Sequence, residues 1–161
     1  MDMYFGYGFD VSEINTVAQA ELLRKLKPEL HEETAAAVQR NEGLTEKDGE
    51  RFWSEYAEYL DNYEVADAIA EAINNGERQN LAKYLKPGEK ENLEDMEIVK
   101  TCNEFVYFDN LRFADDEPRG RYVTSASVFV DIVNRYVPSD LLVFGNIWCG
   151  SEYDEQEPYM S

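Results

Sequence analysis

The sequence predicts one α+β domain, in which a helix-rich N-terminal half is combined with a small, mostly antiparallel sheet formed by N- and C-terminal strands. Two observations lead to this prediction. Apolar residues recur at helical spacing through most of the N-terminal half, and short aromatic and β-branched runs lie near both ends. With 161 residues and 43% hydrophobic residues, the chain is large enough to bury a core. We expect the globular domain to cover residues 1–150 and an acidic, loosely ordered tail to cover residues 151–161.

The first predicted element is an aromatic strand at residues 3–9, with the sequence MYFGYGF. Because side chains alternate between the two faces of a strand, Gly6 and Gly8 lie on one face. A face without side chains lets another backbone or a helix approach closely. We therefore expect a close contact at these two glycines.

Two helices are predicted next. Thr16 begins the first, with Gln19 as its capping-box partner, and Pro28 ends it. The second covers residues 28–40, because a proline suits the first helical turn and Gly43 lies just beyond a suitable end. The apolar positions of the first helix follow helical spacing: Val17, Ala20, Leu23 and Leu26.

The apolar pattern of residues 45–74 predicts a third and a fourth helix with a break between them. At 100° per residue, one apolar set occupies an arc of about 120°, and a second set falls on nearly the opposite arc. One straight helix cannot bury both, so we place a break near residues 61–63, with Asp61 and Glu64 as the capping box of the fourth helix. Gly76 then predicts the end of that helix. The first set is Phe52, Trp53, Tyr56, Tyr59, Leu60 and Tyr63, and the second is Val65, Ala66, Ala68, Ile69, Ala72 and Ile73.

The rest of the chain is predicted to alternate between short helices and strands. Thr124 or Ser125 begins a helix that ends before Pro138. Residues 141–149, LLVFGNIWC, are an apolar run bounded by turns, which predicts a buried strand. The other predicted elements are a short helix at residues 77–86, a charged loop or frayed helix at 89–97, a strand at 104–113 and a loop at 114–120.

The charge of the chain limits its partners. It has 34 acidic and 15 basic residues, which give a formal net charge of −19. DNA, RNA and anionic membranes require a basic surface, so none of them is expected as a direct ligand. A basic protein surface is the expected partner. Since no export signal or membrane-length apolar run is apparent, we expect a cytoplasmic protein of a bacterial host cell.

The candidate catalytic and metal-binding residues each have a simpler interpretation. His31 is the only histidine and lies beside two glutamates, so we expect it to be exposed to solvent. The three acidic residues at 115–117 offer oxygen ligands but lack the spacing of an EF-hand loop. Cys149 has no lysine or arginine near it in sequence to activate its thiol. We therefore predict no catalytic, cofactor or metal site.

Acidic residues on the third and fourth helices are the strongest functional signal. Ten carboxylates lie between Glu42 and Glu71, against only Lys47 and Arg51. From Glu55 onward they recur every three or four residues, so their density along a helix is comparable to the phosphate density of a DNA strand. These residues are either the solvated faces of two amphipathic helices or a surface that imitates nucleic acid.

Three segments of the chain, MYFGYGFDVS, IAEAIN and FVYFDN, resemble small uncharacterised proteins from mobile elements of Gram-positive bacteria. In composition the chain is similar to phage and plasmid inhibitors that imitate nucleic acid, the antirestriction and anti-CRISPR proteins. The resemblance includes no catalytic motif, and it assigns no functional residue. It implies a role in countering host defence.

Three hypotheses for the function follow. The leading hypothesis is a non-catalytic inhibitor that occupies the nucleic-acid-binding groove of a nuclease or another host defence protein. The alternative is a general protein-interaction or regulatory module that binds through an aromatic patch. A small carboxylate- or metal-dependent enzyme is the third. The predicted partner-binding residues are Glu50, Glu55, Glu58, Asp61, Glu64, Asp67 and Glu71.

Overall fold

The computed structural model describes residues 3–83, 97–109, 123, 125–150 and 159–160. Within these ranges the chain forms five α-helices and a five-stranded sheet, which confirms the predicted α+β class. The predictions for residues 84–96 and 110–120, and for the tail apart from residues 159–160, lie outside the described residues. The helices are α1 (Thr16–Leu26), α2 (Pro28–Glu42), α3 (Glu50–Tyr59), α4 (Asn62–Ala82) and α5 (Ala126–Val133). The strands are β1 (Met3–Asp10), β2 (Lys100–Cys102), β3 (Phe105–Asp109), β4 (Phe144–Gly150) and β5 (Tyr159–Met160).

The sheet joins the two ends of the chain, as predicted. Its order is β2-β3-β1-β4-β5, and every neighbouring pair is antiparallel. The Tyr7 ring stacks on Phe144 of β4 with centroids 6.2 Å apart. Neither edge strand was predicted: β2 is only three residues long, and β5 lies within the segment that was expected to be loosely ordered.

The two glycines of β1 allow the close approach that the sequence predicted. Gly8 lies directly opposite Tyr107 in the register, and a Cβ atom at Gly8 would lie 2.6 Å from the Cα atom of Tyr107. At Gly6, a Cβ atom would meet the Tyr107 ring and would lie 2.6 Å from the carbonyl oxygen of Phe108. Tyr107 therefore covers the glycine face of β1 and is itself buried.

The N-terminus of α1 differs from the prediction. Asn15, not Thr16, is the capping residue, and its side chain accepts a hydrogen bond from the Ala18 amide at 2.9 Å. The predicted capping box of Thr16 and Gln19 is therefore wrong. Gln19 is buried instead, and its Nε2 donates to the Val11 carbonyl at 3.0 Å and to the Ile14 carbonyl at 3.1 Å. The residue after Thr16, Val17, is also exposed rather than buried.

The break between the third and fourth helices is confirmed. Leu60 and Asp61 both have extended backbone conformations, and Asp61 forms the predicted capping box with Glu64. The third helix starts later than expected, because Thr45 caps a short 3-10 turn at Glu46–Asp48 before α3 begins. Both apolar sets contribute to the same core: Phe52, Tyr56 and Leu60 of the first set are buried with Val65, Ala66, Ala68, Ile69 and Ile73 of the second. The first set is not buried throughout, because Trp53 is partly buried and Tyr59 and Tyr63 are exposed.

The end of α4 was predicted wrongly. The helix passes through Gly76 and continues to Ala82, so the separate helix expected from residue 77 is its last part. Gly76 is needed for packing rather than for a cap, since a Cβ atom there would lie 2.8 Å from ring atoms of Tyr136. The next residue, Glu77, is fully buried, and it accepts a hydrogen bond from Arg135 Nη1 at 2.6 Å.

The core lies between the sheet and the helices. Phe129 of α5 contacts the rings of Tyr7, Phe9 and Phe108, with centroids 5.1–6.5 Å apart. α4 packs on β2 and β3, while α1 packs on α2, α3 and α4. In the described part of the chain, no helix combines the length and apolar character needed to cross a bilayer.

Candidate functional site

Two of the three α3 carboxylates point away from the core. α3 buries Phe52 and Tyr56, and the opposite side of the helix is left to solvent. Glu50 and Glu58 are exposed there, whereas Glu55 is partly buried. The structure therefore places two of the three α3 carboxylates fully at the surface.

Two of the predicted residues, Asp61 and Glu64, have a structural role at the start of α4. The Asp61 side chain accepts from the backbone of the first helical turn, and Glu64 Oε1 accepts from the Asp61 amide at 3.4 Å. These bonds satisfy amides that the helix itself leaves unpaired. Asp61 is exposed and Glu64 is partly buried. Their negative charge near the N-terminus of α4 also interacts favourably with the helix dipole.

Asp67 and Glu71 lie on the outer face of α4, where both are exposed. Asp67 Oδ1 accepts a hydrogen bond from Thr101 Oγ1 of β2 at 3.1 Å. Glu71 Oε2 lies 3.9 Å from Lys27 Nζ at the end of α1. Lys27, which is distant from Glu71 in sequence, therefore pairs with one of the predicted carboxylates. The local sequence could not show this pairing.

The helices that carry the seven carboxylates have partly different neighbours. α3 packs on α1 and α2, whereas α4 packs on α1 and on the sheet. We call Glu50, Glu58, Asp67 and Glu71, the exposed carboxylates without a role in capping, the acidic surface. This surface follows the chain from α3 to α4.

Two exposed tyrosines lie between the α3 and α4 parts of the acidic surface. Tyr59, near the end of α3, is 37% exposed, and Tyr63, in the first turn of α4, is 53% exposed. Tyr59 Oη donates to Glu42 Oε1 at 3.2 Å. An exposed aromatic ring beside carboxylates gives a surface that can make both apolar and ionic contacts with a partner.

The expectation that His31 is exposed is wrong. His31 is only 9% exposed and lies between α1, α3 and the 3-10 turn. Its Nε2 is 3.2 Å from Arg24 Nε, and its Nδ1 is 2.9 Å from Tyr56 Oη. Arg24 also forms a short ion pair with Glu46. The sequence predicted no part of this network: a buried tyrosine needs a hydrogen-bond partner, but nothing local to Tyr56 identifies His31.

The hydrogen bonds determine the tautomer of His31. Arg24 Nε can only donate, so His31 Nε2 is the acceptor and carries no hydrogen. The hydrogen of the neutral ring is then on Nδ1, which donates to Tyr56 Oη. Both ring nitrogens are occupied in this arrangement, and His31 has no free lone pair with which to take a proton from a substrate.

Burial and neighbouring charges shift the pKa values of both His31 and Tyr56. Burial, followed by the positive charge of Arg24, lowers the pKa of His31, and the charges of Glu46 and Glu32 oppose this. Burial raises the pKa of Tyr56 to about 12. At neutral pH the imidazole and the phenol are therefore both uncharged.

A shallow groove of about 530 Å³ borders this network. His31, Glu46 and Lys47 form part of its wall, together with Leu44 and Phe52. Among the described residues, no group of three or more histidine, cysteine or acidic side chains is arranged to hold a metal ion. The acidic residues at 115–117 and the Cys149 side chain lie outside the described residues, and Cys102 is partly buried.

The chain matches no protein-family model, and comparisons with curated proteins and with solved structures give no significant match.

Proposed function

We propose that the protein is a non-catalytic inhibitor that occupies a basic, nucleic-acid-binding groove on a nuclease or another host defence protein. Carboxylates of the acidic surface take the place of phosphates. The observation that supports this most is that five of the seven predicted carboxylates are exposed, and that four of these, the acidic surface, have no role in capping. Among the described residues, Lys27 is the only lysine or arginine that forms an ion pair with any of the seven predicted carboxylates.

Repulsion between the carboxylates destabilises the free protein. Like charges three or four residues apart destabilise a helix by about 0.2–0.5 kcal/mol per pair, and a net charge of −19 adds repulsion across the whole molecule. A basic partner would relieve both effects. Complementary fields also speed association and make it sensitive to salt.

A test of this proposal must separate binding from folding. Asp61 and Glu64 are unsuitable because their substitution would remove the α4 capping box. The four residues of the acidic surface are exposed, so their reversal to lysine leaves the core unchanged. We call the combination of Glu50→Lys, Glu58→Lys, Asp67→Lys and Glu71→Lys the surface variant.

A control variant has the same net charge but leaves the acidic surface intact. It combines four exposed residues elsewhere: Glu13→Lys, Glu33→Lys, Asp131→Lys and Asp140→Lys. Each reversal adds two positive charges, so both variants change the formal charge from −19 to −11. Any difference in binding between the two variants is therefore caused by the positions of the reversed charges and not by the net charge.

The immobilised wild type and both variants are incubated with a bacterial lysate, and bound proteins are identified by mass spectrometry. We expect the wild type and the control variant to retain nucleic-acid-binding proteins that double-stranded DNA displaces, and the surface variant to lose them. Retention of the same proteins by the surface variant, or equal loss from both variants, contradicts the proposal.

A second candidate function is supported by Tyr59 and Tyr63. Their exposure of 37% and 53% favours a protein-interaction module that binds through aromatic contacts, in which the acidity serves solubility. In that case Tyr59→Ala together with Tyr63→Ala removes binding, the surface variant retains it, and the affinity changes little between low and high salt.

A further inference from the structure

The His31 network connects three helices and a turn through polar side chains. His31 is on α2, Arg24 is on α1, Tyr56 is on α3, and Glu46 is in the 3-10 turn between α2 and α3. His31 contacts both Arg24 and Tyr56, and Arg24 contacts Glu46. A change of charge at His31 therefore acts directly on the contact between α1 and α2.

Protonation of His31 is incompatible with the observed position of Arg24. The second proton must enter at Nε2, because Nδ1 already carries one. Nε2 is 3.2 Å from Arg24 Nε, and this gap holds the arginine hydrogen. With a proton on each side of the gap, the hydrogen bond is lost and two cations face each other.

Glu46 is already placed to replace Arg24 as the partner of His31. Its Oε1 lies 3.9 Å from His31 Nε2 while it is paired with Arg24. Glu46 is partly accessible, with 46% of its side chain exposed, so a change of rotamer is sufficient to bring it to the ring. A carboxylate is a good acceptor for the Nε2 hydrogen of a charged imidazole.

We propose that this network is a pH-operated latch, in which protonation of His31 exchanges Arg24 for Glu46 as the partner of Nε2 and releases Arg24 from α2. In the neutral state Arg24 connects α1 to α2 and to the 3-10 turn. In the protonated state Glu46 connects the turn to α2 directly, and Arg24 turns to solvent. Because His31 and Glu46 both form walls of the 530 Å³ groove, the exchange changes its shape.

The charged groups around His31 set the pH at which the exchange occurs. Arg24 from α1 opposes protonation, whereas Glu46 from the turn and Glu32 from α2 favour it. Tyr56 from α3 is uncharged at neutral pH, and Lys47 of the turn lines the same groove. Burial and Arg24 are the larger influences, so the pKa of His31 is below the ordinary imidazole value and the exchange occurs at a pH below that value.

The single histidine makes the latch directly measurable. In a protein labelled with ¹⁵N, one imidazole is followed by NMR through the titration. We expect the Nδ1–H tautomer at neutral pH, and we expect the Arg24 Nε–H signal to be lost with the same midpoint as the protonation of His31. This measurement needs no variant. An Nε2–H tautomer at neutral pH, or an Arg24 Nε–H signal that is unchanged through the titration, overturns the proposal.

Two substitutions test the exchange of partners. Arg24→Met retains the apolar stem but removes the donor and its charge, so the His31 midpoint is expected to move to higher pH. Glu46→Gln removes the carboxylate that receives the protonated ring, so the midpoint is expected to move to lower pH. Glu32→Gln is the control for a general loss of negative charge, with a smaller downward shift than Glu46→Gln. Equal shifts for the two glutamate variants overturn the role of Glu46.

Discussion

At the scale of single residues, three of the four buried polar side chains in the helical part of the structure bond to groups in other elements, whereas the fourth, Thr34, bonds to the Leu30 carbonyl of its own helix. Gln19 bonds to the carbonyls of Val11 and Ile14, and its Nε2 is 3.3 Å from Asn62 Oδ1. Glu77 is paired with Arg135, and His31 is paired with Tyr56. Burial of such groups without partners would cost several kcal/mol. These bonds therefore help to specify how the helices are arranged.

The hydroxyl of Tyr56 is expected to contribute to stability through His31. Tyr56→Phe leaves the His31 Nδ1–H group buried without an acceptor, so we expect the free energy of unfolding to fall by about 1–3 kcal/mol in chemical denaturation. Tyr59→Phe is the control, because its hydroxyl bonds to Glu42 at the exposed surface, and a change within about 0.5 kcal/mol is expected. Equal losses for the two variants would show that the buried His31–Tyr56 bond contributes no more to stability than the exposed Tyr59–Glu42 bond.

The lowered pKa of His31 predicts a loss of stability in acid. The unfolded chain binds this proton more tightly than the folded protein, so His31 has no effect well above the ordinary value of 6.5. Its contribution to the free energy of unfolding falls as the pH decreases below that value and levels off below the folded pKa. Urea denaturation of the wild type and of His31→Gln across this range measures the effect. The free energy of unfolding of the wild type should fall relative to that of His31→Gln as the pH decreases. A difference that does not depend on pH would be inconsistent with a lowered pKa.

At the scale of secondary structure elements, the break between α3 and α4 brings two opposite apolar faces into one core. Leu60, at the break, is 5% exposed, whereas Glu58 two residues earlier is exposed. We expect Leu60→Ala to lower the free energy of unfolding by about 2–5 kcal/mol, as is usual for a large-to-small change in a core. Glu58→Ala is expected to change it by less than about 0.5 kcal/mol. Similar values for the two substitutions, measured by urea denaturation, would contradict this account of the break.

The β1 strand depends on the absence of a side chain at Gly8. A Cβ atom there would lie 2.6 and 2.7 Å from the Cα and Cβ atoms of Tyr107, which cannot move without the backbone of β3. We expect Gly8→Ala to destabilise the protein by about 3 kcal/mol, the upper part of the usual range for overpacking. Gly43→Asn is the control, since Gly43 has a φ of +68° with open space around it, and asparagine tolerates that conformation. Thermal melts of both variants test this, and a stable Gly8→Ala protein would contradict the close approach of β3.

At the scale of the whole molecule, the net charge of −19 is expected to destabilise the folded state through repulsion. Since the screening length falls from about 30 Å at 0.01 M salt to about 3 Å at 1 M, the Tm of the wild type should rise as NaCl is added. The surface variant and the control variant, both at −11, should show a smaller rise. A Tm that is unchanged or lower at high salt would contradict this, as measured by circular dichroism.

The local sequence was sufficient for much of the secondary structure. It predicted four of the helix starts within a few residues, the break at Asp61 and the pairing of β1 with β4. Periodicity, capping residues and prolines act over a few neighbouring residues, so their effect can be seen without a structure. The same reasoning predicted that Glu55, Glu58, Asp67 and Glu71 would face solvent, which is confirmed for the last three and wrong for Glu55, which is partly buried.

Only the tertiary structure decided which residues meet across the fold. It buried His31 against Tyr56, brought Lys27 to Glu71, and placed the Tyr136 ring against Gly76 in the space that a side chain would occupy. It also gave α3 and α4 partly different neighbours, because α3 packs on α2 and α4 packs on the sheet, while both pack on α1. These outcomes depend on the relative positions of elements far apart in the chain. Local patterns do not determine such positions, because the apolar pattern of a helix shows which of its faces is buried and not which element covers that face.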